Sequence, residues 1–181
     1  MTLDNNSLAK IFEGYDEKIS DSSKALEVIM TNIVNHFSKN TDAVITERIV
    51  RNYIETTWEP TVWAYLCNLT EQKANMHDWR TFLVFIVDNK VNGNRISRTN
   101  PTRDSKELCE INACETEPTE WDHVLPHSWG GPNESWNYKH LCQLHNRMKA
   151  SSLSMFTRLV RDDPDYGQSF VEWIKGLNLE N

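Results

Sequence analysis

The stretch from residue 122 to residue 149 constrains this chain most, because reactive side chains and turn residues follow one another closely there. It reads D-H-V-L-P-H-S-W-G-G-P-N-E-S-W-N-Y-K-H-L-C-Q-L-H-N-R-M-K. Pro126 and the run Gly130-Gly131-Pro132 favour an irregular turn, and Asn146 stands at the start of a predicted helix. The pattern therefore predicts a compact unit of strand, turn, strand and helix.

A histidine beside an aspartate, His123 after Asp122, supplies two groups that phosphodiester cleavage needs. A phosphodiester is anionic, so its hydrolysis requires a base to deprotonate water and a cation to stabilise charge on the leaving oxygen. An imidazole titrates near neutral pH and can be the base, whereas a carboxylate can bind a hard ion such as Mg²⁺. Because neighbouring side chains of a strand point to opposite faces, both could reach one phosphate only at a strand end or turn.

This stretch resembles the HNH endonucleases, whose ββα-metal motif commonly reads D-H-x-x-P-x-S-x-G-G, then a spaced Asn, then L-C-x-x-C-N-x-x-K. The resemblance covers the motif and two cysteines upstream of it, a minor part of the 181 residues. The matching positions are Asp122, His123, Pro126, Ser128, Gly130, Gly131, Asn137, Leu141, Cys142, Asn146 and Lys149.

The resemblance implies a role for four of these side chains. His123 would be the general base, and Asp122 and Asn146 would bind the catalytic divalent ion. Asn137 would fix the loop of the hairpin and orient His123. The family commonly has His where this chain has Asn146, and an amide oxygen favours Mg²⁺ or Mn²⁺ over softer ions.

Two pairs of candidate metal ligands surround the motif, Cys109-x4-Cys114 and Cys142-x2-His145. Three thiolates and one imidazole suit a tetrahedral structural Zn²⁺, which would hold the motif together from outside. The family usually has a fourth Cys and a C-x2-C first pair, so His145 and the longer gap are departures. His145 could instead be the catalytic histidine, or His140 could replace it at zinc. The unbroken L-C-x-x-[C/H]-N-x-x-K frame favours zinc for His145.

The cysteines have a second interpretation, since Cys109 and Cys114 could be buried free thiols or a disulfide of an exported protein. No charged segment followed by an apolar signal sequence opens the chain. Its longest apolar stretch, 82–87, is far too short to span a membrane. We therefore expect a cytoplasmic protein with reduced thiols and no membrane association.

The net charge argues against a free-standing nucleic-acid-binding protein, because 26 acidic and 19 basic residues give a formal charge of -7. Either a local basic surface contacts the phosphates, which supply most sequence-independent affinity, or a partner subunit delivers the DNA. The basic part of the segment 90–106 could also be an ordinary solvated loop. The residues predicted to contact nucleic acid are Arg95, Arg98, Arg103, Lys106, His127, Arg147 and Lys149.

Hydrophobic periodicity predicts helices over most of the remaining chain. Apolar residues recur at three- and four-residue spacing in 22–39 and 41–58. Asp21 or Ser22 would cap the first of these helices, and Pro60 would end the second. Further helices are predicted at 63–69, 79–87, 151–161 and 166–177. The expected fold class is α+β, mainly helical, with a small ββα-metal motif and its zinc site packed with an amino-terminal helical region.

These predictions divide the chain into three regions. A helical region at 1–90 would serve recognition, dimerisation or partner docking, the HNH motif with its zinc site occupies 91–161, and a carboxy-terminal helix lies in 162–181. The expected function is metal-dependent cleavage of DNA in bacterial or phage restriction, defence or DNA processing. The alternatives are an RNA-active or nicking relative, or a zinc-stabilised module that binds nucleic acid or protein and has an inactive HNH site.

Overall fold

The computed structural model describes residues 22–39, 44–93, 97–99, 101, 104, 106–111 and 113–177. Within these residues the chain forms seven α-helices and one two-stranded antiparallel sheet. The expected α+β class with mainly helical content is confirmed at this level. In the part of the chain described here, no helix has the length and apolar character needed to cross a membrane.

Four helices make up the amino-terminal half of the described chain. They are α1 (Ser22–Ser38), α2 (Glu47–Thr57), α3 (Pro60–Leu69) and α4 (Met76–Val87). A π-helical turn, Asp88–Asn92, continues α4 and ends at Gly93, whose φ of 77° is left-handed. The predicted loop from residue 90 therefore begins later than expected.

The starts of α2, α3 and α4 differ from the prediction because local capping chemistry sets them. Thr46 is extended, so α2 begins at Glu47, and the predicted start at 41 lies outside the described residues, as does Asp21. Pro60 occupies the first turn of α3, a position suited to its fixed φ and missing N–H. Asn75 and Asp78 form a reciprocal capping box that starts α4.

The stretch around residue 122 folds as a hairpin followed by a helix. Strand β1 (Glu120–His123) pairs antiparallel with β2 (Tyr138–Leu141), so that His123 lies opposite Tyr138 and Asp122 opposite Lys139. Two short 3-10 turns separate the strands, and helix α5 (Gln143–Lys149) follows β2 directly. The order of strand, turn, strand and helix is the predicted one.

Two helices complete the described chain, α6 (Ser154–Asp162) and α7 (Pro164–Lys175). Helix α6 begins three residues later than predicted. Helix α7 begins earlier than predicted because Pro164 enters its first turn and the Asp163 side chain accepts a hydrogen bond from the Tyr166 backbone N–H at 3.0 Å.

One hydrophobic core joins these helices to the hairpin loop. Phe82 of α4, Phe156 of α6 and Phe170 of α7 meet at its centre, where the Phe170 ring lies 5.4 Å from Phe82 and 5.0 Å from Phe156. Val124 and Leu125, which follow β1, belong to the same core. The core therefore crosses residues 90 and 161, and the three-region division stays a prediction.

Candidate catalytic and metal-binding sites

His123 is the last residue of β1 and is only 1% exposed. Its ring centroid lies 4.2 Å from that of Tyr138 and 5.5 Å from that of His127. Its Nε2 lies 3.0 Å from Oδ1 of Asn133. Burial lowers the pKa of His123, while the hydrogen bond to Asn133 acts in the opposite direction. The imidazole is thus favoured in its neutral form, the form a general base requires.

Asp122 faces two cationic side chains. The Nζ of Lys149 lies 2.6 Å from its Oδ2, and a guanidinium nitrogen of Arg98 lies 3.9 Å from its Oδ1. The Lys149 side chain is 5% exposed, so burial lowers its pKa and the charge of Asp122 partly offsets that effect. This carboxylate therefore lies in a position that attracts positive charge.

Helix α5 presents Asn146 and Lys149 to one face of β1. The two residues are three positions apart on the helix and so share a side of it, whereas Glu120 and Asp122 alternate onto the same face of the strand. The Asn146 amide donates a hydrogen bond to the Glu120 carboxylate, next to the ion pair of Lys149 with Asp122. Asp122 and Asn146, the predicted ligands of the divalent ion, accordingly belong to one interface between helix and strand.

Asn137 is fully buried and connects the two ends of the hairpin loop. Its Nδ2 donates to the carbonyls of Leu125 at 3.1 Å and Pro132 at 3.0 Å. Its Oδ1 accepts from the Leu125 backbone N–H at 2.8 Å and from the Tyr166 hydroxyl at 3.1 Å. These bonds fix the backbone that directly follows His123, so Asn137 acts on the histidine through the chain.

The loop also depends on a glycine. A Cβ at Gly131 would lie 1.8 Å from the carbonyl oxygen of Leu125, closer than any real contact. The Gly131 N–H donates to the Pro126 carbonyl at 3.1 Å, which closes the turn after β1. A side chain at this position would push apart the segments that Asn137 joins.

The four candidate zinc ligands lie together. The ligand atoms of Cys109, Cys114, Cys142 and His145 are all within 4.8 Å of one another. The Nδ1 of His145 is 3.5 Å from Sγ of Cys109 and 3.4 Å from Sγ of Cys142. This cluster could bind a metal ion such as zinc.

His140, the alternative to His145, lies in a different environment. Its Nδ1 accepts a hydrogen bond from the Lys106 backbone N–H at 3.1 Å, and its ring stacks on Trp121 at 4.4 Å. The Nδ1 of His140 is therefore used in a hydrogen bond to Lys106. The histidine that lies with the three cysteines is His145.

Hydrogen bonds favour the thiolate form in part of the cluster, and the thiolate is the form that binds a metal. Hydrogen bonds from the backbone and side chain of Thr116 lower the pKa of Cys114 to about 7. Burial raises the pKa of Cys109, while a hydrogen bond from the Cys142 backbone N–H, 3.3 Å long, acts against that increase. The loop between Cys109 and Cys114 turns at Ala113, whose φ is 62°.

The residues predicted to contact nucleic acid are only partly brought together. Arg98 is largely exposed beside Asp122, and His127 lies in the turn next to His123. Lys106 is exposed near the metal cluster, where its backbone bonds to His140.

On α5, Arg147 is exposed, whereas Lys149 is buried in its ion pair. Arg95 and Arg103 lie outside the described residues.

Three residues of the site were not singled out from the sequence: Glu120, Asn133 and Tyr138. Glu120 precedes Asp122 by two positions, so strand alternation could have placed it on the same face. Tyr138 lies opposite His123, which requires the register of the hairpin. Asn133 stands in the loop with no periodicity to mark it.

Comparison of the chain with protein-family models, with curated proteins and with solved structures found no match.

Proposed function

We propose that this protein is a metal-dependent HNH endonuclease that hydrolyses phosphodiester bonds in DNA. The observation that carries the proposal is the arrangement at the end of β1. There His123 lies beside Asp122, and helix α5 presents Asn146 and Lys149 to the strand. Such hydrolysis needs a base in its neutral form and oxygen ligands for a metal ion, and His123, Asp122 and Asn146 offer these groups.

Asp122 and Asn146 would hold the divalent ion, Mg²⁺ or Mn²⁺. The site fits such an ion because both residues offer oxygen atoms, which hard cations prefer, and because Asp122 already attracts two cationic groups. When bound, the ion would stabilise negative charge on the scissile phosphate. His123 would take a proton from the attacking water, and Asn137 would keep the loop behind it in place.

The cysteine and histidine cluster would hold a structural Zn²⁺. Three sulfur atoms and one nitrogen complete a tetrahedral set and leave no position open for substrate, which is typical of structural zinc sites. The cluster would link the loop of Cys109 and Cys114 to the start of α5, and so support the helix that carries Asn146.

DNA binding would rest on local charge, since the net charge of the chain is -7. Arg98, on the segment before the hairpin and 3.9 Å from Asp122, and Arg147, on α5, are both exposed and would contact phosphates. A protein partner or a second copy of the chain would add basic surface. The setting we propose is a cytoplasmic role in restriction, phage defence or DNA processing.

One observation favours the second candidate, a zinc-stabilised binding module with an inactive HNH site. His123 is 1% exposed and Asp122 is paired with a buried lysine, so neither side chain is open to substrate in this arrangement. An active enzyme would have to open this site when DNA and the divalent ion bind.

Cleavage of supercoiled plasmid distinguishes the two candidates. The purified protein is incubated with Mg²⁺ or Mn²⁺, and separately with EDTA, beside His123→Ala and the matched control His77→Ala, which changes an exposed histidine of α4. We expect metal-dependent nicking or linearisation that His77→Ala keeps and His123→Ala reduces by about 100-fold or more, the contribution of a positioned base.

Both variants are first checked for helical content and bound zinc. If the wild-type protein is inert on DNA and RNA with either metal, the nuclease proposal fails and the binding module replaces it. Equal activity of His123→Ala and His77→Ala would remove His123 from the mechanism.

A further inference from the structure

Asn133 makes a direct side-chain contact with the predicted base. It lies in the loop between the strands, and its Oδ1 is 3.0 Å from Nε2 of His123. The same amide forms hydrogen bonds with the backbone of Ser97 and Thr99, in the segment before the hairpin, and with the Tyr138 hydroxyl. The amide therefore connects the imidazole to groups on both sides of the loop.

The surroundings of Asn133 determine which way its amide points. Its Nδ2 donates to the carbonyl oxygen of Ser97 at 2.6 Å, and a carbonyl can only accept. The Thr99 backbone N–H approaches Oδ1 at 3.4 Å, and an N–H can only donate. The oxygen of the amide thus faces His123, and the nitrogen of the amide faces away.

This orientation fixes the tautomer of His123. An amide oxygen has no hydrogen to give, so Nε2 must carry the proton of the bond with Asn133. A neutral imidazole has one N–H, and Nδ1 is left with its lone pair. The Nδ1 atom is buried and has no hydrogen-bond partner among the described residues. No described group uses this lone pair, so Nδ1 can accept a proton from water once the site opens to the substrate.

We propose that Asn133 is a positioning residue that holds the proton of His123 on Nε2, so that Nδ1 is the atom that accepts the proton from water. The inference rests on the proposed function. In the step, an O–H bond of water breaks and its proton goes to Nδ1, while the electron pair of the water oxygen forms the new bond to phosphorus. The bond from phosphorus to the 3′ oxygen breaks, and its electron pair leaves with that oxygen, which then takes a proton from solvent. The imidazolium then carries hydrogen on both nitrogens, and Oδ1 of Asn133 keeps the Nε2 hydrogen bond and stabilises the positive charge.

Asn137 does not duplicate this role. Its hydrogen bonds go to the backbone of Leu125 and Pro132 and to Tyr166, so it fixes the path of the chain. Asn133 contacts the ring itself and therefore determines the protonation of the ring.

The ring nitrogens can be observed directly by nuclear magnetic resonance. A two-bond ¹H–¹⁵N correlation spectrum of the protein is recorded above neutral pH, and the signals of His123 are assigned by their loss in His123→Ala. We expect the protonated-nitrogen shift at Nε2 and the unprotonated shift at Nδ1. The opposite assignment in the wild-type protein would overturn the proposal without any variant.

Two substitutions separate the hydrogen bond from the shape of the side chain. Asn133→Asp keeps an acceptor oxygen and should keep the Nε2–H tautomer. Asn133→Leu has the same branched shape and number of side-chain heavy atoms but no acceptor, and should give a mixture of tautomers. On plasmid DNA, Asn133→Leu should lower kcat on the order of tenfold with KM nearly unchanged, since a buried hydrogen bond of this kind has about that effect. The kcat of Asn133→Asp should lie between those of Asn133→Leu and the wild-type protein.

The outcomes distinguish this proposal from the nuclease proposal. If no form of the protein cleaves nucleic acid while Nε2 holds the proton, the nuclease proposal fails and the control of the tautomer by Asn133 stands. If Asn133→Leu cleaves as fast as the wild-type protein and keeps the Nε2–H tautomer, Asn133 has no positioning role.

Discussion

At the scale of single residues, Lys149 places an ammonium group where the resemblance implies a divalent ion. Its Nζ is 2.6 Å from Asp122 Oδ2, and the Lys149 and Asp122 side chains are 5% and 14% exposed. A buried carboxylate without a cation is costly, so the lysine stabilises Asp122 as long as no metal ion is bound. The lysine and the ion should therefore compete for the same carboxylate.

Substitution of Lys149 tests this competition. Lys149→Met keeps the apolar stem and removes the charge, and in EDTA it should lower the free energy of unfolding by about 3 kcal/mol, because Asp122 loses its buried partner. Mg²⁺ should then raise the melting temperature of Lys149→Met more than that of the wild-type protein. Lys175→Met, at an exposed lysine of α7, is the matched control.

The measurement is thermal unfolding followed by circular dichroism, with and without Mg²⁺. An equal Mg²⁺-dependent shift in all three proteins would show that Lys149 and the ion do not share a site.

The sequence marks the candidate residues of the motif, but it does not show the contacts that hold them in place. Asp122, His123 and the cysteine and histidine pairs stand at recognisable spacings. The contact of Asn133 with His123 depends on Ser97 and Thr99, which come from a distant segment of the chain. No local pattern contains such a contact.

At the scale of elements, periodicity found the helices but placed several starts wrongly. The apolar stripe of a helix indicates which face is buried, but it does not indicate at which residue the helix begins. Pro60 and Pro164 lie in the first turns of α3 and α7. The capping box of Asn75 and Asp78 starts α4 three residues before Trp79, where the helix was predicted to begin. Proline and capping side chains, rather than the stripe, determined these boundaries.

The metal cluster yields a prediction about the elements it joins. Cys142→Ala removes one ligand at the start of α5, whereas Cys67→Ala changes a cysteine of α3 that does not belong to the cluster. We expect Cys67→Ala to retain about one zinc ion per chain and Cys142→Ala to lose it, because structural zinc requires its four ligands. Zinc content is measured by elemental analysis after removal of loosely bound metal.

Loss of the ion should also destabilise α5 and the hairpin, which the cluster connects to the loop of Cys109. A Cys142→Ala protein with full zinc content, or a wild-type protein without zinc after purification in its presence, would contradict the assignment of this site.

At the scale of the whole molecule, a continuous core connects the amino-terminal helices to the hairpin of β1 and β2. Met155 of α6 packs against the main core and also against the small cluster of Cys109, Leu141 and Cys142. The neighbouring Phe156 is fully buried among the aromatic rings of α4 and α7. Unfolding of the helices should therefore release the metal ion in the same step.

Phe156→Ala tests this coupling. The cavity it leaves should lower the free energy of unfolding by about 3–5 kcal/mol, and Leu144→Ala, at an exposed position of α5, should change it by less than about 0.5 kcal/mol. Denaturation with urea is followed by circular dichroism of the helices and by a colorimetric zinc indicator. We expect the two transitions to coincide and to shift together in Phe156→Ala.

A zinc-release midpoint that stays in place while the helical midpoint moves would indicate two independent units. The sequence could not decide this point, because the contacts that join the core link residues far apart in the chain, and periodicity describes only one element at a time.

Helix α5 has a consequence for how the chain can vary in length. His145 turns toward the cysteines while the adjacent Asn146 turns toward β1, because successive residues of a helix are rotated by about 100°. Insertion or deletion of a single residue between Cys142 and His145 would therefore rotate one side chain out of its site. Related chains that keep both sites should therefore keep the spacing from Cys142 to Asn146 unchanged.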